Sequence, residues 1–231
     1  MTYNIINDEK ELDKFINLLP DNDIDGTYYI TLFARKKYAP NSNLKSDKSQ
    51  LKTLVAKKER IKQKIKQLEV KIGAYTTDDG QPIPEESLAL YITPNPRSFK
   101  KANKEIVRTI FGNLLEGIHI NPKVVTFSKL QTAQAEKKFV IFDVDYSEKN
   151  EYKQAEFLKT VAWKLGYTPL IIKTRGGFHI LVEPSKTTEK VWHQNISVMA
   201  DQIGDLLSPI PGCIQGGHIP YLINYENEKY E

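Results

Sequence analysis

Two aspartates close an apolar run in this sequence, Phe139-Val140-Ile141-Phe142-Asp143-Val144-Asp145. Side chains alternate along an extended chain, so Asp143 and Asp145 share a face if the run is a strand. Two neighbouring carboxylates repel one another unless a cation lies between them. Mg²⁺ or Mn²⁺, which take oxygen ligands and keep several waters, suits such a pair. The plainer use of both acids is to cap the following turn, residues 146–150. A strand apolar enough to be buried on both faces has little reason to end in two acids unless they have a task.

A second cluster follows at Lys173-Thr174-Arg175-Gly176-Gly177-Phe178-His179-Ile180-Leu181-Val182. Glycines such as Gly176 and Gly177 let a backbone come close to a phosphate. Lys173 and Arg175, two apart in an extended segment, could both face a triphosphate, and arginine adds a bidentate fork. His179 taken alone reads as a core histidine. The cations and glycines before it make it a candidate for the same site. Arg97, in Thr93-Pro94-Asn95-Pro96-Arg97-Ser98, sits between a strand and a helix start, a natural anion position, or else is a solvated turn arginine.

These two segments together resemble the archaeo-eukaryotic primase superfamily, which includes the primase-polymerases of phages and plasmids. The resemblance rests on Asp143-Val144-Asp145 after an apolar strand and Gly177-Phe178-His179 on a neighbouring one, and covers residues 139–217, about a third of the chain. It implies that Asp143 and Asp145 bind catalytic Mg²⁺ or Mn²⁺ and that His179 contacts nucleotide phosphate. It also implies a nucleotidyltransferase that initiates or extends a DNA or RNA strand from nucleoside triphosphates on a DNA template, with a helicase or other replication protein as partner. The family's third acid is an apolar residue followed by Asp. Asp201 and Asp205 are the aspartates after His179, and Asp205, ahead of the Pro-Gly-rich stretch 208–217, is the expected ligand. If neither serves, the fold remains as a catalytically inactive nucleic-acid-binding replication accessory. The apolar strand also looks like the nucleophile strand of haloacid-dehalogenase-type phosphatases, but no adjacent Asp-Asp follows it downstream.

Composition narrows the field. At 231 residues, 40% apolar and 27% charged, the chain has the size and balance of one soluble globular domain. Cys213 is its only cysteine, which excludes an internal disulfide and a cysteine-based zinc module and suits a reducing cytoplasm. The first residues do not form a signal peptide, and no run is long enough to span a membrane. Abundant lysine and asparagine hint at an A/T-rich genome, such as that of a phage. Net charge is only +4, but from residue 34 to 66 only Asp47 and Glu59 oppose a dense series of lysines and arginines. The tail, residues 225–231, is acidic.

The elements that must position these residues follow from periodicity. Helices are expected at 9–19, 50–72, 98–116 and 152–165, and over most of 186–207. Strands are expected at 28–34, 88–93, 138–144, 168–173 and 177–183. The fold class is α/β (α+β): a polymerase-palm or RRM-like sheet containing antiparallel strands and flanked by helices. The whole chain, 1–231, reads as one catalytic domain, with a palm-like core at 138–223 and a basic helical insertion at 43–73. Arg35, Lys36, Lys37, Lys57, Lys58, Lys62 and Lys64, with Arg97, are expected to hold the template backbone without reading its sequence.

Overall fold

The computed structural model describes residues 1–21 and 25–223. Its first half is built around β1 (Gly26–Ala34), with α1 (Glu9–Leu18) before it. Asp8 starts α1 by accepting the amides of Lys10 and Glu11, and Leu12 and Phe15 enter the core. β1 is rich in aromatic and β-branched residues and nearly all of it is buried, as suits a central strand. β2 (Ser49–Ala56) pairs antiparallel on one side of it, from Tyr28 opposite Ala56 to Ala34 opposite Ser49. After the short α2 (Ile61–Lys66) comes β3 (Leu88–Ile92), which pairs on the other side of β1. β4 (Arg97–Ser98) joins the start of β1 and leads through the Ser98 cap into α3 (Phe99–Leu115), followed by α4 (Pro122–Thr132).

The expected basic helix at 50–72 is therefore mostly not a helix. Leu51, Thr53 and Val55 alternate with Gln50, Lys52 and Leu54, and the open edge of β1 recruits that alternation as a strand. Only α2 remains of the helical insertion at 43–73. The structure also contains α4, which the sequence reading left unassigned, although Asn121 as cap with Pro122 after it is a start signal.

The second half runs β5 (Val140–Asp145), α5 (Glu151–Leu165), β6 (Leu170–Lys173), β7 (Gly177–Val182), α6 (Trp192–Ser197) and β8 (Gln202–Gly204). Gly166 ends α5 in the left-handed conformation, as a glycine there should. β9 (Ser208–Pro209) returns to pair with β3 in the first sheet, and β10 (Tyr221–Leu222) pairs with β6. The second sheet has the order β10-β6-β7-β5-β8, and its central part is a βαββαβ unit. The helix expected over 186–207 shrinks to α6, because 202–204 pair with the outer edge of β5 instead.

Two antiparallel sheets flanked by helices make this an α+β protein, as expected. Val140, Phe142, Val144, Phe178 and Ile180 pack under α5 and α6. Phe139, Ile141, Ile172 and Leu181, on the other face, share the core of the first sheet. Where that shared core reaches the rim it turns polar, and the candidate residues lie there. No helix among the described residues is long and apolar enough to cross a membrane. The acidic tail lies outside the described residues.

Gly177 shows how tight this rim is. A Cβ on it would lie 1.9 Å from the Val144 carbonyl oxygen and 2.6 Å from the Tyr146 amide nitrogen, both backbone atoms that cannot step aside. At Gly176 the nearest atom would be Asp145 Oδ1 at an ordinary 3.5 Å. In urea unfolding, Gly177→Ala is expected to lose about 2 kcal/mol or more, the upper part of the overpacking range. Gly176→Ala is expected to change stability by less than about 0.5 kcal/mol. Equal effects would show that the close approach is not what this position requires.

Candidate metal and nucleotide site

The β5–β7 ladder sets Asp143 directly opposite His179 and Asp145 opposite Gly177. Directly opposed residues share a face, so the two carboxylates and the imidazole emerge together on the side turned toward the first sheet. His179 is buried; its Nε2 lies 3.2 Å from Asp143 Oδ1, and its Nδ1 lies 3.1 Å from the Ser208 hydroxyl on β9. One imidazole thus bridges the sheets. Burial works against the Asp143 charge, but the hydrogen bond from His179 and the charges of Lys37 and Lys48 outweigh it. They hold the Asp143 pKa below the usual carboxylate value.

Those lysines come from the first sheet's side, in the segment after β1. There Arg35 bonds the Asp47 carboxylate at 2.8 Å and the Tyr91 hydroxyl at 3.1 Å, and Asp47 also accepts the Lys37 amide. The Tyr38 ring has three cations against it: Arg175 at 4.7 Å, Lys37 at 5.3 Å and Arg35 at 5.6 Å from its centroid. Arg175 reaches this ring from the tip of the β6–β7 hairpin, where the Thr174 amide bonds the Gly177 carbonyl and the Gly177 amide bonds the Thr174 hydroxyl. Its guanidinium also donates to the Gly216 carbonyl.

Lys173 does not join Arg175. It is paired with Phe178, so its side chain lies on the α5 side of the sheet, with Nζ 4.1 Å from the Phe178 ring centroid. There it lines a cavity of about 510 Å³ with Lys149, Gln154 and Tyr221, remote in face from the carboxylates. A kink at Thr174 separates the two cations that strict alternation would have kept together. His218, which follows the paired glycines, is held below its ordinary pKa by burial and by the charges of Lys173 and Arg175.

Two aspartates competed for the third acidic position, and the structure separates them. Asp201 stands at the start of β8: its amide donates to the Asp143 carbonyl at 2.8 Å, and its carboxylate accepts the Asp145 amide at 2.7 Å. Asp205 is engaged elsewhere. Its carboxylate takes the Arg97 guanidinium and, at 3.0 Å, the Asn95 amide. Arg97 is only 1% exposed, so it is the buried partner of Asp205 rather than a contact for nucleic acid. Asn95 also binds the backbone of Lys138 and Phe139, which ties the first half of the chain to the start of β5. Asp205, expected as the third ligand, is thus engaged in a structural pair, and Asp201 is the aspartate that lies beside Asp145. The signal was present in Ala200-Asp201, an apolar residue followed by Asp. Lys48 and Tyr38, brought in by the fold, had no such signal.

The basic series also divides. Lys58 pairs with Asp21 at 2.8 Å, and Lys62 pairs with Glu9 and Asp13, all acids on or just after α1. These two are largely neutralised within the chain, whereas Lys36 and Lys57 remain exposed and Lys64 is half-buried. Among the described residues, no three His, Cys, Asp or Glu side chains are already gathered as a metal-ligand set. The Asp201 carboxylate is turned onto the Asp145 amide, as expected of like charges that keep apart. The donor set still fits Mg²⁺ or Mn²⁺: hard carboxylate oxygens from adjacent backbone positions at an open rim. No family model, curated protein or solved structure matches the chain.

The two later aspartates should behave oppositely when neutralised. Asp205→Asn leaves the buried Arg97 charge without its partner and is expected to lose about 3 kcal/mol. Asp201→Asn keeps an oxygen to accept the Asp145 amide and relieves repulsion, so stability should hold within about 0.5 kcal/mol. Urea unfolding of both variants checks this, and a large loss for Asp201→Asn would make that residue a structural acid.

Proposed function

We propose that this chain is a metal-dependent nucleotidyltransferase of the primase-polymerase type, in which a strand hydroxyl attacks the α-phosphate of a nucleoside triphosphate and pyrophosphate leaves. One observation carries the reading: Asp143 and Asp145 leave the end of β5 on one face, Asp201 is hydrogen-bonded to the Asp145 amide beside them, and Lys37 and Lys48 from the first sheet's side lie within electrostatic reach of Asp143. A bound Mg²⁺ or Mn²⁺ supplies Lewis-acid stabilisation of phosphate oxygens and a more acidic attacking hydroxyl. Asp143 and Asp145 would hold the metal, and Asp201 would join them on releasing the Asp145 amide. Lys37, Lys48 and Arg175 neutralise the triphosphate, and the exposed Gly176 lets it approach the backbone, whereas the bare face of Gly177 is taken up by β5. His179, with Ser208 on Nδ1 and Asp143 on Nε2, has both ring nitrogens engaged and positions the Asp143 carboxylate rather than contacting the phosphate as expected. Lys36, Lys57 and Lys64 are left to meet a DNA template through its phosphates.

A decayed, purely binding protein would be expected to lack a third acid beside the pair, and the position of Asp201 counts against that. Incorporation of labelled nucleotide on a primed template with Mn²⁺ tests the proposal. The parent chain should extend the primer, and Asp143→Asn with Asp145→Asn should fall to background while remaining folded. Equal incorporation by parent and variant would sink it. The nucleotide grip is tested separately: Arg175→Ala should weaken triphosphate binding by about one to two decades, the worth of a charge-assisted fork of roughly 1.5–3 kcal/mol. Lys173→Ala, on the other face, should leave that affinity nearly unchanged. If Lys173→Ala weakens binding as much as Arg175→Ala, the assignment of faces fails.

A further inference from the structure

The helical arm made by α3 and α4 is the largest feature that the site does not use. α3 runs for 17 residues yet buries only Ala102, and α4 buries only Leu130, so the arm is anchored at its base. Val107, Phe111, Leu114, Leu115 and Ile118 lie exposed at spacings of three, four and seven. Val107, Phe111, Leu114 and Leu115 form one helical stripe on α3, and Ile118, past the left-handed Gly117, and Val124 at the start of α4 add to it at the tip. Phe111 at 63% exposure leaves on the order of 100 Å² of ring and methylene to water. Six such side chains per copy approach the roughly 800 Å² per partner of an ordinary interface.

Charge decides what covers the stripe. The arm's cations Lys100, Lys101, Lys104 and Lys129 sit at its base. From residue 105 to 128, Arg108 and Lys123 are matched by Glu105 and Glu116, so the tip is neutral and apolar. A polyanion has nothing to bind there, and an equally neutral apolar face fits it well. α3 also carries cations in its first two turns and none in its last, the wrong way round for its own dipole. An antiparallel tip contact keeps the two basic bases at opposite ends of the pair. A parallel pair would set base against base and repel.

We propose that two copies of this chain associate tip to tip through α3, antiparallel about a two-fold axis near residues 112 and 113. Phe111 of each copy then faces Leu114 of the other, a self-complementary contact of the kind that closes a dimer. The base of each arm, and the carboxylate site, stay outside the contact.

Sedimentation velocity across the micromolar range tests the association. The parent should move from monomer to twice the mass as concentration rises, and Phe111→Glu with Leu115→Glu should stay monomeric. Both side chains are exposed in the single chain, so folding is not at stake, and an unchanged circular dichroism spectrum checks it. A parent that stays monomeric overturns the proposal, as does a dimer that survives the double variant. Orientation is tested with single cysteines and a short bis-maleimide, since the native Cys213 is fully buried. Leu114→Cys should cross-link copy to copy, and Phe99→Cys, at the base, should not. Failure at 114 or success at 99 rejects the antiparallel tip contact.

Discussion

The register of β5 against β7 is the constraint on which the site depends. With Asp143 opposite His179 and Asp145 opposite Gly177, the polar side chains leave the sheet together on the first sheet's side. A slip by one residue would turn both acids into the core under α5 and α6 and bring Val144 out to solvent. The apolar residues flanking them, Phe142 and Val144 on one face and Ile141 on the other, forbid that slip. The missing side chain at Gly177 then lets the two strands close where Asp145 ends the ladder. Core packing and chemistry are therefore specified by the same alternation.

A second set of contacts aligns the two sheets. Ser208 on β9 holds His179, Asn95 binds the backbone at the start of β5, and Arg97 with Asp205 closes the joint near β8. Each link joins the first sheet's side to the second sheet's across a mostly apolar seam. Their polar atoms are costly to bury alone, so each is satisfied only when the sheets meet in one arrangement. That arrangement brings Lys37 and Lys48 within electrostatic reach of Asp143. The cations and the acids of the rim come from different sheets, and the joint keeps them facing.

The sequence made legible whatever depends on a short local pattern. The apolar strand with its alternating acids, the βαββ order, the Gly166 stop and the Ser98 cap could all be read from neighbours in the chain. β2 could not, because Leu51, Leu54 and Val55 fit a helical stripe as well as a strand until β1 offers an unpaired edge. Lys173 and Arg175 look like a pair in sequence, but the turn at Thr174 sends them to opposite faces. Arg97 and Asp205 are 108 residues apart, so nothing local shows that they neutralise each other. Asp201 and Asp205 were both candidates in the sequence, and only the pairing of 202–204 with β5 shows that Asp201 is the one beside Asp145.

The central claim is that Asp143, Asp145 and Asp201 share a divalent cation at the rim between the sheets. The direct measurement is anomalous diffraction from crystals of the protein grown with Mn²⁺ and a nucleoside triphosphate. An anomalous peak within ligand distance of those three carboxylates, with triphosphate oxygens reaching toward Arg175, is the expected result. A peak on Asp205 or elsewhere, or none at saturating Mn²⁺, would contradict it.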